Sequence, residues 1–162
     1  MIYELSSDII TDELSEGAII NDRHTGFRED YLVLHCLLKR YNPKTFFEIG
    51  TNTGFGTKII KNALGYDSKV YSIDLPEEMK NISIQHPLNE GKIDGVGYEC
   101  DLPYEQIFAD STTFDYRQFS CEGYYIDAEH TRENVFIETS KVFDCHPKII
   151  IWHDSDMPEV YL

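Results

Sequence analysis

The stretch FFEIGTNTGFGTKII, residues 46–60, decides the fold because a glycine-rich loop in it joins a strand to a helix. TFFEI (residues 45–49) is short and nearly all apolar, which is typical of a strand buried in a parallel sheet. TKIIKNAL (residues 57–64) is predicted to be a helix that ends at a glycine. Between them lie Gly50, Gly54 and Gly56, at the position where parallel α/β sheets bind ligands.

Further strands and helices alternate along the rest of the chain. KVYSID, QIFA, GYYIDA and KIIIWHD are predicted strands, at residues 69–74, 106–109, 123–128 and 148–154. TRENVFIETSKVF (residues 131–143) is a predicted helix, whereas residues 75–105 show the least periodicity and should form loops with one short helix. This alternation predicts an α/β fold with a doubly wound, Rossmann-like and mostly parallel sheet.

The spacing of side chains supports two of the predicted helices. The helix predicted from REDYLVLHCLLKRY (residues 28–41) should lie against the sheet through Tyr31, Leu34, Leu38 and Tyr41. The residues at helical spacing in TRENVFIETSKVF are Phe136, Ser140 and Phe143.

The composition indicates one acidic domain. The 162 residues can bury one sizeable core, so we expect an N-terminal segment at residues 1–26 and one domain at residues 27–162. A net charge of -15 without a basic cluster disfavours nucleic acid and anionic membranes as partners. With no apolar run near the roughly 20 residues of a membrane span and no targeting peptide, a cytoplasmic protein is expected. The four scattered cysteines are expected to be reduced packing residues.

The spacing within the loop excludes two common nucleotide sites. The glycines follow G-x-x-x-G-x-G, whereas a dinucleotide pyrophosphate needs G-x-G-x-x-G to approach the backbone. A P-loop needs lysine followed by serine or threonine, and here Thr57 precedes Lys58. A nucleotide-like ligand other than a dinucleotide or a nucleoside triphosphate is therefore favoured.

An acid followed by these glycines resembles motif I of the class I S-adenosylmethionine-dependent methyltransferases, E-x-G-x-x-x-G-x-G. The matching residues are Glu48, Gly50, Gly54 and Gly56, and Thr51 lies in the same loop. Glycines would let the backbone pass close under the methionine and ribose portions of the cofactor. Glu48 would either contact the cofactor or order the loop.

Three residues at the ends of the next two strands complete the expected cofactor site. Asp74 ends the second strand, where a carboxylate could accept both ribose hydroxyls. The resemblance implies that Asp110 meets the adenine amino group and that Ser111 lies beside the adenine ring. S-adenosylmethionine is therefore the expected cofactor.

The segment from about Phe27 to Asp156 resembles the branch of that superfamily that includes macrocin-type sugar O-methyltransferases. In that branch, an acid after the fourth strand and acids or amides after the fifth hold a magnesium ion beside the methyl acceptor. Asp127 matches the first and Asp154 the second. Where the macrocin-type enzymes have two consecutive acids, this chain has His153 before Asp154. An imidazole thus replaces one oxygen ligand, although magnesium prefers oxygen.

A sugar-like hydroxyl must also lose its proton before it attacks a methyl group. Asp127, His130, His153 and Asp154 follow neighbouring parallel strands, so we expect them to converge in one cleft at the carboxyl edge of the sheet. Two mechanisms stay open. In one, Asp127 and Asp154 hold the ion that activates the hydroxyl, and in the other His130 or His153 acts as the base.

Few residues follow the fifth predicted strand, whereas class I methyltransferases normally add two more strands there. We therefore expect a fold truncated after that strand, or a partner subunit, which could be a second copy, covering the exposed edge. Two functions remain open. One is an O-methyltransferase for a small hydroxylated acceptor, with a sugar favoured, and the other is a non-catalytic cofactor-binding or oligomerisation module. A same-fold enzyme acting on decarboxylated cofactor, like an aminopropyltransferase, fits the motifs less well.

Overall fold

The computed structural model describes residues 10–11, 15–18, 28–75 and 96–154. The predicted domain boundary at residue 27 and most of the aperiodic interval, residues 76–95, lie outside these ranges. The expectations about truncation and about an edge partner concern the residues after 154, which also lie outside. Within the described ranges, no helix combines the length and the apolar character needed to cross a membrane.

Five parallel strands form one sheet in the order β3-β2-β1-β4-β5. The strands are β1 (Thr45–Ile49), β2 (Lys69–Asp74), β3 (Glu105–Phe108), β4 (Gly123–Ile126) and β5 (Ile149–Trp152). The helices are α1 (Arg28–Tyr41), α2 (Phe55–Leu64) and α3 (Arg132–Phe143), with a short 3-10 helix at Tyr116–Gln118. The predicted α/β fold with a doubly wound parallel sheet is confirmed, and the order reverses between β1 and β4.

Helices cover both faces of the sheet because successive strand residues point to opposite sides. Phe46 and Tyr125 pack with α1 and α2 on one face. Phe47 and Tyr124 pack with Val142 of α3 on the other face, in a core rich in aromatic rings. This three-layer arrangement leaves the carboxyl ends of the strands open to loops.

The predicted face of α1 was partly wrong, and α3 buries residues other than those noted for their helical spacing. Leu34 and Leu38 are buried as expected, but Tyr41 is 53% exposed because it ends α1 beyond the edge of the core. In α3, Phe136 and Phe143 are 61% and 57% exposed. The buried residues of α3 are Val135, Glu138, Thr139 and Val142. Two of these are polar, so apolar spacing alone does not reveal that face.

Candidate functional site

Backbone hydrogen bonds extend past the strands and align their carboxyl ends. Gly50 donates its N–H to Ile73 at 2.9 Å, and Asp127 donates to Ile49 at 2.8 Å. His153 likewise donates to the carbonyl of Ile126 at 3.0 Å. The polar residues after β1, β4 and β5 therefore lie side by side along one edge of the sheet.

The glycines of the loop are each required by neighbouring protein atoms. A Cβ added at Gly50 would lie 2.1 Å from the carbonyl oxygen of Asp127. At Gly54, where φ is +87°, a Cβ would lie 2.7 Å from Cα of Gly97. The loop is thus pressed between β4 and the segment before β3, so close protein packing alone accounts for these glycines.

Residues 96–100 form a backbone cap on the glycine loop. Gly97 donates its N–H to the carbonyl of Asn52 at 2.9 Å, and Glu99 donates to Thr53 at 2.8 Å. Sequence reasoning missed this cap because it falls in the aperiodic interval. The glycines of that interval were the only local signal.

Glu48 lies beneath the loop in a buried chain of hydrogen bonds. Its Oε2 accepts from the hydroxyl of Thr57 and, at 2.5 Å, from that of Ser72. Because Ser72 donates to Glu48, the Thr51 hydroxyl donates to Ser72 at 2.6 Å and accepts from the Gln106 amide at 3.0 Å. Burial raises the pKa of Glu48 to about 8, although its hydroxyl partners oppose this shift. Glu48 and Thr51 are thereby engaged with the protein and order the loop from below.

Gly56, the second residue of α2, lies directly above the same carboxyl group. A Cβ at this position would lie 2.6 Å from Oε1 of Glu48. The third glycine of the motif is therefore coupled to its acid through packing.

Asp74 ties the end of β2 to the loop. One carboxylate oxygen accepts from the backbone N–H of Asn52 at 2.7 Å, and the other from that of Leu75 at 2.7 Å. Asp74 therefore orders the loop from the end of β2.

Asp110 and Ser111 follow β3 and are engaged with other protein groups. Asp110 accepts from both the backbone N–H and the hydroxyl of Thr112, at 2.8 and 2.6 Å, which forms a tight turn. The Ser111 hydroxyl donates to buried Glu138 of α3 at 2.5 Å. Burial raises the pKa of Glu138 to about 7, and the bond from Ser111 opposes this. Their expected contacts with adenine stay predictions.

The structure brings together the four residues after β4 and β5 that were expected to converge. One ligand atom from each of Asp127, His130, His153 and Asp154 lies within 4.8 Å of the other three. Asp127 Oδ1 is 3.1 Å from Nδ1 of His153, which is 2.9 Å from Oδ2 of Asp154. That oxygen is 3.0 Å from Nε2 of His130, which is 3.6 Å from Asp127 Oδ1. Oxygen and nitrogen atoms thus alternate around a closed ring, and the expected convergence is observed.

Ion pairing within this ring changes the pKa values of its members. Burial by itself would raise the pKa of Asp127, but the adjacent imidazoles of His130 and His153 bring it below its ordinary value. Burial opposes charge on His153, yet Asp127 and Asp154 raise its pKa to about 9. The Asp127 carboxylate also raises the pKa of His130. Without another cation in the ring, His153 is protonated at neutral pH and is a poor base.

Helix α1 contributes two residues that the sequence did not assign to the site. Asp30 Oδ2 lies 3.7 Å from Nε2 of His153. The ring of Tyr31 stacks beside His153 with centroids 6.4 Å apart and meets Phe55 edge-on at 4.9 Å. Tyr31 was expected only to pack on the sheet. The acids in the first turn of α1 were the available signal, but their direction depends on tertiary packing.

Comparison with known proteins identifies the fold. No protein-family model and no curated protein matches the chain. The SAH-bound methyltransferase PaMTH1 of Podospora anserina superposes with a TM-score of 0.51 at 11% identity, covering 74% of this chain and 47% of its own. A caffeoyl-CoA O-methyltransferase-like structure from Staphylococcus aureus gives 0.48 at 19% identity, covering 80% and 56%.

The Bacillus cereus O-methyltransferase in complex with SAH gives a TM-score of 0.46 at 15% identity, covering 80% of this chain and 54% of its own. The chain therefore spans about half the length of the solved structures that it matches. Its strand order and parallel sheet agree with the superposition on PaMTH1. The chain has the fold of the class I S-adenosylmethionine-dependent methyltransferases.

Proposed function

We propose that this chain binds S-adenosylmethionine and transfers its methyl group to a hydroxyl of a small acceptor, with a sugar-like acceptor favoured. The observation that carries the proposal is the position of Asp74. It ends β2 next to the motif I loop and holds the backbone of Asn52. A carboxylate at this position, beside the loop, is suited to accept the ribose hydroxyls of the cofactor.

The reaction requires a deprotonated acceptor close to the sulfonium. The acceptor oxygen forms a bond to the methyl carbon as the carbon–sulfur bond breaks, so the protein must position the hydroxyl and remove its proton. The ring of Asp127, His130, His153 and Asp154 lies beyond β4, beside the loop. Its carboxylates can accept hydrogen bonds from the acceptor, and the Tyr31 ring supplies an adjacent apolar wall.

Magnesium, which the resemblance implies, does not match this ring well. Two of the four donors are imidazole nitrogens, and magnesium favours oxygen ligands and bound water. We therefore assign no step of the reaction to magnesium.

The proposal is tested by calorimetry with S-adenosylhomocysteine, followed by transfer of radiolabelled methyl to hydroxylated acceptors, beginning with sugars. Saturable binding and label in an ether product are expected. Binding without transfer to any acceptor would favour the non-catalytic module, and a folded protein that does not bind would refute the proposal. The variant His146→Asn is a suitable control, because His146 is exposed, lies outside the ring and has a positive φ that asparagine tolerates.

A further inference from the structure

The ring at the carboxyl edge contains a mixed set of donors. Nδ1 of His153 and Nε2 of His130 alternate with Oδ1 of Asp127 and Oδ2 of Asp154. Two imidazoles with two carboxylates are typical ligands of first-row transition metals, whereas sites for magnesium and calcium use oxygen. The donor set therefore distinguishes between classes of ion.

The distances around the ring match those between ligands that share one ion. Ligands about 2.1 Å from a metal are about 3.0 Å apart along an octahedral edge and about 3.4 Å apart along a tetrahedral edge. The four neighbouring separations here are 3.1, 2.9, 3.0 and 3.6 Å. One ligand atom from each of the four residues lies within 4.8 Å of the other three, so all four side chains can reach a single ion.

The direction of one donor supports a shared centre over simple pairing. Nε2 of His130 is buried and lies 3.0 Å from Asp154 Oδ2, yet within the described residues it forms no hydrogen bond of acceptable geometry. An imidazole that served only to pair with a carboxylate would align its N–H with an oxygen. The nitrogen of His130 therefore faces the ring without aligning on one partner.

We propose that Asp127, His130, His153 and Asp154 form a binding site for a divalent transition-metal ion, such as zinc or cobalt, and that Asp30 orients His153 within it. The inference deepens the proposed function and rests on it for the role of the ion beside the acceptor. When bound, such an ion lowers the pKa of a coordinated hydroxyl.

Asp30 is a positioning residue because it acts through His153. With Nδ1 of His153 in the ring, its Nε2 faces Asp30 Oδ2 at 3.7 Å. A carboxylate on the outer nitrogen favours a proton there and leaves the inner nitrogen with its lone pair, as in carboxylate–histidine–metal sites. The sheet positions all four ring members, and Asp30 of α1 selects the tautomer of one of them, His153.

The test is calorimetry on chelator-treated protein titrated separately with zinc, cobalt and magnesium. We expect one zinc or cobalt ion per chain and zinc affinity at least about 100-fold above that for magnesium. Cobalt should also give visible absorption bands that report its coordination. His130→Gln and His153→Ala should each weaken zinc binding by more than about 10-fold, while the control His146→Asn should leave it unchanged.

Asp30→Asn should weaken zinc and cobalt binding about 10-fold and alter the cobalt spectrum. Glu29→Gln is the matched control, since Glu29 is an exposed acid next to Asp30 in the first turn of α1. Asp30→Glu should restore part of the affinity. If Asp30→Asn and Glu29→Gln behave alike, the positioning role is wrong.

Magnesium binding as tight as zinc binding, or full zinc affinity in a folded His130→Gln protein, would overturn the site. A substitution at His130 disturbs folding less than one at buried His153, because the His130 side chain is 39% exposed.

S-adenosylhomocysteine titrated into the metal-free protein separates the two proposals. Cofactor binding without zinc binding contradicts only the metal site, and zinc binding without cofactor binding contradicts only the proposed function.

Discussion

The carboxylate of Asp74 accepts a hydrogen bond from the backbone N–H of Asn52 at 2.7 Å, so the end of β2 holds the glycine loop that follows β1. The second carboxylate oxygen accepts from Leu75 at 2.7 Å. Asp74 therefore links the shape of the loop to the proposed ribose site.

Asp74→Ala should weaken binding of S-adenosylhomocysteine by about 10-fold or more, because charge-assisted hydrogen bonds to the ribose are lost along with the support of Asn52. Calorimetry measures the change. Asp67→Ala is the control, since it removes an exposed acid before the opposite end of β2. Equal affinity in wild type and a folded Asp74→Ala protein would remove Asp74 from the site.

The sequence was sufficient to predict the fold because its strands are short, apolar and separated by turn residues. TFFEI corresponds to β1 at both ends, and KVYSID corresponds to β2. The carboxyl ends of parallel strands share one edge, so the convergence of Asp127 and Asp154 could be inferred without coordinates.

Contacts set by tertiary packing were not predictable in this way. Asp30 reaches His153 only because α1 packs beside the end of β5, and residues 96–100 reach the loop across an aperiodic interval. The buried side of α3 was missed for a different reason. Glu138 and Thr139 are buried through hydrogen bonds to Ser111 and Trp152, and a search for apolar periodicity passes over such residues.

Gly54→Ala should loosen the cap on the loop. The new methyl group would meet the backbone of Gly97 at 2.7 Å, and a φ of +87° adds strain. We expect a loss of about 1–3 kcal/mol in the free energy of unfolding and faster hydrogen exchange at the amides of Gly97 and Glu99.

Gly65→Ala is the comparison for this prediction. Gly65 also has a positive φ, but a Cβ there has no atom within 4 Å. It should lower stability through strain without changing exchange at residues 97 and 99. Similar exchange in both variants would show that the contact between Gly54 and Gly97 does not hold the cap.

Thr139→Val should destabilise the protein by about 1–3 kcal/mol, because the indole N–H of Trp152 loses its acceptor in a partly buried position. In the wild type, Nε1 of Trp152 donates to the Thr139 hydroxyl at 2.9 Å. Urea unfolding followed by circular dichroism measures the change. Thr139→Ser keeps the acceptor and should cost less, so equal losses in the two variants would contradict a role for this bond.

Glu48→Gln should make stability less dependent on pH. The pKa of Glu48 is about 8 in the fold, against an ordinary value of 4.5, chiefly because of burial. Between these values the unfolded chain has lost this proton while the folded chain keeps it, so a rise in pH favours unfolding. Each unit of difference in pKa corresponds to about 1.4 kcal/mol, so the advantage of Glu48→Gln over wild type should grow by a few kcal/mol from about pH 5 to about pH 8.

Urea unfolding monitored through the single tryptophan, Trp152, at several pH values gives this difference directly. Glu138 has a raised pKa as well, but it is present in both proteins and its effect cancels to first order. An unchanging difference across that range would mean that the Glu48 carboxyl ionises in the folded protein as easily as in the unfolded chain.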